Sequence, residues 1–308
     1  MSGVAAAAVI VQVGGGVVLA PLVPGLVQHW KARLQGRRGP TIFQPYRELH
    51  RLWGKSAVDP AGTGAVYWVV PALCAASLGV AVLLVPVAAS GAGLGVGHDV
   101  LALAGLLAIA RFALAAAAWE TGSGFSLMGA SRDLTVAVAT DATLVLAVAV
   151  AALVAGTTNL PGIIAGTAGT VPWSDPALAL AAVAFALVVL AETGRQPIDN
   201  PDTHLELTMI HEGPLLEYAG RDLALLQWSA AARHWLVLVL ASQVFLPHAS
   251  RVWLQLTALP LMLVALCGGL ALVESLTAKT RILLAPRLLA VGGLAALLGV
   301  ASWLVQAT

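Results

Sequence analysis

Charge is what this chain has least of. Only 10% of its 308 residues are charged and 59% are apolar, against roughly a quarter charged in soluble domains. A soluble chain of this length could not cover its surface with so few charges. The mean hydropathy of +0.89 points to the bilayer as its solvent. Cysteine is nearly absent too. Cys74 and Cys267 stand far apart in apolar stretches, without the paired spacing of a cluster or zinc site, so the chain is expected to hold no iron–sulfur centre and no metal of its own. The net charge of +1 leaves no basic stripe for a nucleic acid once the topology is drawn. The first basic residue, Lys31, follows the first apolar run rather than preceding it, so no cleavable signal is expected. No internal repeat of the kind that transporters show is evident.

Long apolar runs are what the sequence has instead. A span needs about 20 mostly apolar residues to cross a core of about 30 Å, and that rule gives an all-α polytopic membrane protein, a bundle of about eight spans near 5–28, 65–89, 99–119, 134–156, 176–194, 233–248, 253–275 and 283–306. The first is interrupted by Gly14, Gly15, Gly16, Pro21 and Pro24, which is tolerated where neighbouring helices cover the freed backbone. Trp30, Trp68, Trp119, Trp173, Trp235, Trp253 and Trp303 fall near the proposed ends, as interfacial aromatics do. Segment 31–64 carries Lys31, Arg33, Arg37, Arg38, Arg47, Arg51 and Lys55, and connections on the same side add Arg132, Arg195, Arg221, Arg233, Lys279 and Arg281; the other side has only Arg251. The positive-inside rule then puts 31–64 in the cytoplasm and both termini outside. The external connections, 90–98 and 157–175, read as simple closing loops. The long polar cytoplasmic segments 30–64 and 193–232 are where a partner or a site would be built, so the chain reads as one integral membrane domain, 1–308, with these two loops as its docking surface.

Ionisable groups inside spans are expensive, about 2.5–3.5 kcal/mol each on insertion scales, and tend to serve function. Here they are Arg111, Glu120, Asp141, Glu192, Glu274 and Arg287. Interfacial snorkelling or a structural ion pair is the competing explanation for Glu120, Glu274 and Arg287, which lie near span ends. A carboxylate raised by burial and lowered by a nearby arginine has what a proton relay requires, and Arg111 and Asp141 lie deepest.

Two loops carry the remaining pattern. Glu192, Arg195 and Asp199 surround Pro197 and Pro201 at the mouth of a span, where proline stops the helix and holds the backbone extended. Residues 202–212 read as a capped surface helix, with Glu206, Glu212 and Glu217 adding negative charge beneath the bundle. His204 and His211 share a helix face at a spacing of seven, which differs from the three- or four-residue spacing of a metal pair. In the first loop a turn at Gly39-Pro40 leads to an amphipathic helix ending near Gly54, with Leu49, Leu52 and Trp53 facing lipid or a partner and Arg47, Glu48 and Arg51 facing water. A plain positive-inside anchor would account for this loop as well.

At these two loops the chain resembles the respiratory complex I subunit 1 family. The residues that carry the resemblance are Arg37-Arg38-Gly39-Pro40, then Ala191-Glu192-Thr193-Gly194-Arg195 with Pro197 and Asp199, then Glu206-Leu207 and Glu217-Tyr218. The run from Asp199 through His204 and His211 to Glu212, followed by Leu216-Glu217-Tyr218 and Gly220-Arg221, is similar to the hydrogenase branch of that family, the formate hydrogenlyase subunit 4 type of group 4 membrane-bound nickel–iron hydrogenases. The complex I pattern has Asn before the arginine and Phe before the aspartate. Gly194 and Ile198 stand here, which favours the hydrogenase branch over a quinone chamber.

The resemblance implies a non-catalytic membrane-anchor and coupling subunit without a cofactor of its own. Its cytoplasmic loops would dock under a peripheral arm of hydrogenase-like large and small subunits and an iron–sulfur protein, which hold the NiFe centre and iron–sulfur clusters, and an antiporter-like membrane subunit would bind its flank. Glu192, Asp199, Glu206, Glu212 and Glu217 would line the junction, and Arg195 would steady them through charge-assisted hydrogen bonds. Arg37, Arg38, Pro40, Tyr218 and Arg221 would order the loops and the docking. The alternatives are a quinone-site subunit of a complex I-type dehydrogenase and a stand-alone secondary transporter.

Overall fold

The computed structural model describes residues 11–87, 99–169, 171–200 and 209–307. Among these the chain is helical, with no strand and one isolated bridge between Gly169 and His248. The helices that set the architecture are α1 (Leu22–Leu34), α2 (Gln44–Trp53), α3 (Ala65–Leu84), α4 (Asp99–Thr121), α5 (Gly124–Ala155), α6 (Leu160–Gly166), α7 (Pro176–Glu192), α8 (Gly220–Leu240), α9 (Val252–Leu276) and α10 (Ala285–Ala307). Six of them, α3, α4, α5, α8, α9 and α10, are long and apolar enough to cross a membrane, and α7 is a shorter apolar helix. Their outward faces stay apolar: Val138 is 74% exposed and Leu261 72%. Surfaces of that kind belong against acyl chains rather than water.

Small residues decide how closely the bundle packs. In α5, α7 and α10, which lie against one another, Ala147, Ala151, Ala177, Ala181, Ala184 and Ala296 are wholly buried. In lipid, where apolar burial gives little driving force between helices, such residues let backbones approach and gain dispersion. The remaining helices pair as α3 with α4, α8 with α3 and α2, and α9 with α1.

The first expected span is broken. A π-helical turn at Val11–Gly15 and one α turn at Gly16–Leu19 precede α1, with Pro21 at the junction; its first residues lie outside those described. Two other spans start well before their expected boundaries. α5 opens at Gly124 and α8 at Gly220, so Arg132 and Asp133, expected in a connection, and Arg233, expected at the very start of its span, lie within helices. The reason is electrostatic: a paired charge does not end a helix, although it ends a hydropathy window. α8 continues as a π-helical turn, Ala241–Phe245.

The connections also differ from simple loops. Segment 157–175 contains α6, whose Leu160, Ile163 and Ile164 are wholly buried, while 90–98 lies outside the described residues. Trp235 is buried in α8 rather than interfacial, whereas Trp68, Trp119, Trp173 and Trp253 are exposed near helix ends as expected. The amphipathic helix appears as α2, but Leu52 packs inward, while Trp53 at its end and Phe43 just before its start are exposed. The turn of the first loop falls at Gln35-Gly36, Gly36 taking φ +68°, and Gly39-Pro40 lies in an irregular stretch after it. The loop lies tightly on α1. A Cβ on Gly25 would collide with the Ile42 carbonyl oxygen. The surface helix expected over 202–212 falls largely outside the described residues; 209–212 are irregular.

Candidate functional site

Arg111 of α4 is the hub of the buried charges. Its guanidinium donates to Asp141 Oδ1 of α5 at 2.8 Å and to Glu192 Oε1 at the end of α7, also at 2.8 Å. Its Nε lies 3.9 Å from Asp133 Oδ2, on the same helix as Asp141. The second oxygen of Glu192 accepts from Arg233 of α8 at 3.2 Å. Four helices are thus held at one point by alternating charges, and the Glu192 side chain is wholly buried. The planar guanidinium suits this work, since its fork offers several donors in fixed directions.

The chain of charges continues toward the loop that follows α7. His211 sits between two carboxylates, its Nε2 3.7 Å from Asp133 Oδ1 and its Nδ1 3.2 Å from Asp199 Oδ2. Asp199 also accepts from Lys279 Nζ at 2.8 Å and from the backbone N–H groups of Asn200, Ile210 and His211. Burial pushes the Asp199 carboxyl up, but its hydrogen bonds and charges from His211 and Lys279 outweigh that and hold it well below the usual range. Burial lowers His211, and the two aspartates reverse the sign, leaving the imidazole above its ordinary value.

A second cluster ties the ends of the bundle together. Glu274 of α9 accepts from Lys31 of α1 at 2.7 Å and from Arg195 at 3.1 Å. Arg195 therefore steadies Glu274 rather than the carboxylates it was expected to serve; Arg111 and Arg233 hold Glu192, and Lys279 and His211 hold Asp199. Between the two clusters opens a cavity of about 960 Å³. Both patterned loops line it: Arg37, Arg38 and Pro40 from the first, Arg195, Asp199, His211, Glu212 and Tyr218 from the second. Two buried nitrogens of its lining residues, Arg195 Nε and His234 Nε2, have no hydrogen-bond partner among the described residues.

Other residues singled out from the sequence take different places. Glu120 accepts from the Tyr67 N–H at 2.5 Å and so caps the first turn of α3, away from the Arg111 hub. Tyr218 stacks on Tyr67 at a centroid separation of 4.4 Å and donates to the Tyr67 carbonyl, while Tyr67 donates to the carbonyl of Glu217. This reciprocal lock fixes the loop that precedes α8. The half-buried Glu217 contributes its backbone to the lock. Arg221 and Arg287 are exposed in the first turns of α8 and α10, and Glu206 and His204 lie outside the described residues. Among the described residues no group of three or more His, Cys, Asp or Glu is arranged to hold a metal.

Lys31, Asp133, His211, Arg233 and Lys279 belong to the clusters but were not read as site residues. Asp133 had a signal, two turns before Asp141 on one helix. Lys31 and Arg233 were absorbed into the positive-inside tally. His211 and Lys279 meet at Asp199, and nothing local announces that.

A helical bundle with a buried cluster of ion pairs beside a loop-lined cavity is consistent with a membrane subunit of the complex I-like class. The NADH dehydrogenase family model matches residues 6–303, and the chain belongs to that family. It is 34% identical to formate hydrogenlyase subunit 4 of Escherichia coli over 280 residues, covering 88% of this chain and 89% of that one. It is also 34% identical to hydrogenase-4 component C of Escherichia coli over 245 residues, 79% of this chain and 76% of the other. A subunit of the NADH-quinone oxidoreductase of Rickettsia canadensis is a more distant homologue, 28% identical over 221 residues, 69% of this chain and 64% of that one. In fold the chain is similar to one from the membrane-bound sulfane sulfur reductase, an archaeal respiratory membrane complex, with a TM-score of 0.81 at 20% identity over 96% of this chain and 99% of that one.

Proposed function

We propose that this complex I-like membrane subunit anchors and couples a complex of the formate hydrogenlyase type. It would link electron transfer in a peripheral arm to ion movement across the cell's inner membrane. One observation carries the reading: a continuous run of ion pairs leads from the loop-lined cavity at Asp199 and His211 to Asp141, Glu192 and Arg233 within the bundle. A charge displaced at the cavity changes the field at every later pair in such a low-dielectric setting.

In this reading both termini lie on the outer side of an eight-span bundle. The first span is α1 with the broken segment before it, and α7 crosses despite its length. The loops within 30–64 and 193–232 form the seat for the arm. The arm's hydrogenase-like and iron–sulfur subunits hold the NiFe centre and clusters, and an antiporter-like subunit sits on the flank. The homology to formate hydrogenlyase and hydrogenase-4 subunits supports this branch.

Purification through a tag on this chain in mild detergent, with mass spectrometry of what accompanies it, tests the reading. Hydrogenase-like, iron–sulfur and antiporter-like subunits are the expected companions. A stable, monodisperse chain without companions overturns it in favour of a self-sufficient transporter. A second reading, a quinone-site subunit, draws on the size of the cavity and on the buried His234 nitrogen beside it. Inhibition of the purified complex by quinone-site inhibitors would favour that alternative.

A further inference from the structure

We propose that His211 is the proton-loading residue of this subunit, taking protons from the cavity and passing them to Asp133 and so to the buried relay. The inference deepens the coupling role proposed above and rests on it. The geometry around the ring carries it. Each imidazole nitrogen faces a carboxylate oxygen, Nδ1 toward Asp199 at 3.2 Å and Nε2 toward Asp133 at 3.7 Å. A neutral imidazole has one N–H and one lone pair, so it satisfies one of these carboxylates and repels the other; the imidazolium satisfies both. The ring is also a lining residue of the cavity, with 27% of its side chain exposed.

Every element packed around the ring contributes to its charge balance. Asp199 comes from the loop after α7, Asp133 from α5, and Arg111 from α4 behind Asp133. Glu192 at the end of α7 feels the imidazole charge. Lys279, from the connection between α9 and α10, shares Asp199 with it, and Glu212 is its chain neighbour. The backbone beside it is Gly194, which takes φ +60° and where a Cβ would lie 3.1 Å from Nδ1, so glycine there gives the ring its closest seat. Asp199 is held by three backbone N–H groups and a lysine, which makes it the fixed partner. Asp133 is the looser one.

The step balances simply. The Nε2–H bond breaks and an O–H bond forms on Asp133 as the 3.7 Å gap closes to hydrogen-bond length. The neutral ring keeps its Nδ1–H on Asp199, and Nε2 takes a replacement proton from water in the cavity. Protonated Asp133 no longer attracts Arg111, which shifts that guanidinium's balance toward Asp141 and Glu192. His211 thus reports its protonation state to the hub.

Two measurements on the intact complex test this. The first is histidine C2 hydrogen exchange read by mass spectrometry across pH, which reports the imidazole's titration whether or not coupling occurs. His211 is expected to titrate above the ordinary 6.5, and to move downward in Asp133→Asn; titration at or below 6.5, or no movement, overturns the proposal. The second is proton-linked turnover in proteoliposomes. His211→Gln and His211→Arg should each lower it about a hundredfold, the scale of a lost acid–base group, and erase the alkaline limb of the pH profile. Arginine keeps both ion pairs but cannot release its proton, so it separates a structural role from proton carriage. Parent-like turnover and pH profile in the arginine variant would sink the idea. Failure of the coupling reading itself shows differently, as an unmodified complex that moves no protons while His211 still titrates above 6.5.

Discussion

Replacing Glu192 with glutamine tests the centre of the proposed relay. The wholly buried Glu192 carboxylate serves two arginines, Arg111 at 2.8 Å and Arg233 at 3.2 Å. Glutamine keeps one acceptor oxygen but turns an amide N–H₂ toward the other guanidinium. Arg111 retains Asp141 and Asp133, so Arg233 suffers most; among the described residues its other hydrogen bond goes to the Leu107 carbonyl at 3.5 Å. Breaking a buried pair by removing one partner costs about 3–5 kcal/mol. With one hydrogen bond preserved the low end applies, about 3 kcal/mol, a factor of more than about a hundred in an equilibrium constant. Thermal unfolding of the assembled complex in mild detergent should show the loss as a lower midpoint. Assembly should persist in the cold, and proton-linked turnover should fall. The double variant Glu192→Gln, Arg233→Met removes the stranded cation, so it should recover most of the midpoint and none of the turnover. A single variant with the parent's midpoint and turnover would refute both the pairing and the relay. So would a double variant less stable than the single.

Two further predictions follow from the loop. Gly129 of α5 meets Gly213 so closely that a Cβ at 129 would lie 2.6 Å from the Gly213 Cα. Gly129→Ala should therefore push the 209–218 segment off α5 at about 1–3 kcal/mol, read as faster proteolysis there, while a parent-like cleavage rate would count against the contact. The second concerns pH. The folded value of His211 is raised, so its stabilisation of the loop is complete below the ordinary 6.5 and is lost as pH climbs through the raised value. The folded value of Asp199 is lowered, so its contribution holds above the ordinary 3.8 and disappears only in strong acid. The Ile210 and His211 amides, which both donate to Asp199, should lose exchange protection as pH rises above the ordinary 6.5 and through the raised value, after correction for intrinsic rates. Constant protection over that range would contradict the placement of His211.

What could be read from the sequence was what depends on composition and on local pattern. The apolar runs located most of the long helices, because a membrane span is written into hydropathy alone. Arg111, Asp141 and Glu192 were recognisable because an ion inside an apolar run has no inexpensive explanation. The early starts of α5 and α8 were hidden because Asp133 and Arg233 look like loop charges until their partners are known. The role of Arg195 was hidden for a related reason. Its local neighbours are Glu192 and Asp199, yet its guanidinium crosses to Glu274, a pairing of elements distant in sequence. Local charge patterns show which residues need partners, and the tertiary fold assigns them.

That assignment bears on why the charges are kept. Burying Arg111 among three carboxylates gives no stability that a well-packed apolar cluster of similar volume would lack, and such clusters often exceed ion pairs. Folding alone would therefore favour leucine and methionine at Arg111, Asp141, Glu192 and Arg233, in a bundle that already packs its alanines to full burial. A structural staple explains Lys31–Glu274–Arg195 better, since it fastens α1, α9 and the loop after α7 at the rim of the cavity. It does not explain the hub. There, Asp141 keeps a side chain 35% exposed while Glu192 beside it has none. Two carboxylates in such different surroundings thus share one arginine. That inequality is what the proposed coupling role would use, and a purely structural cluster would have no need of it.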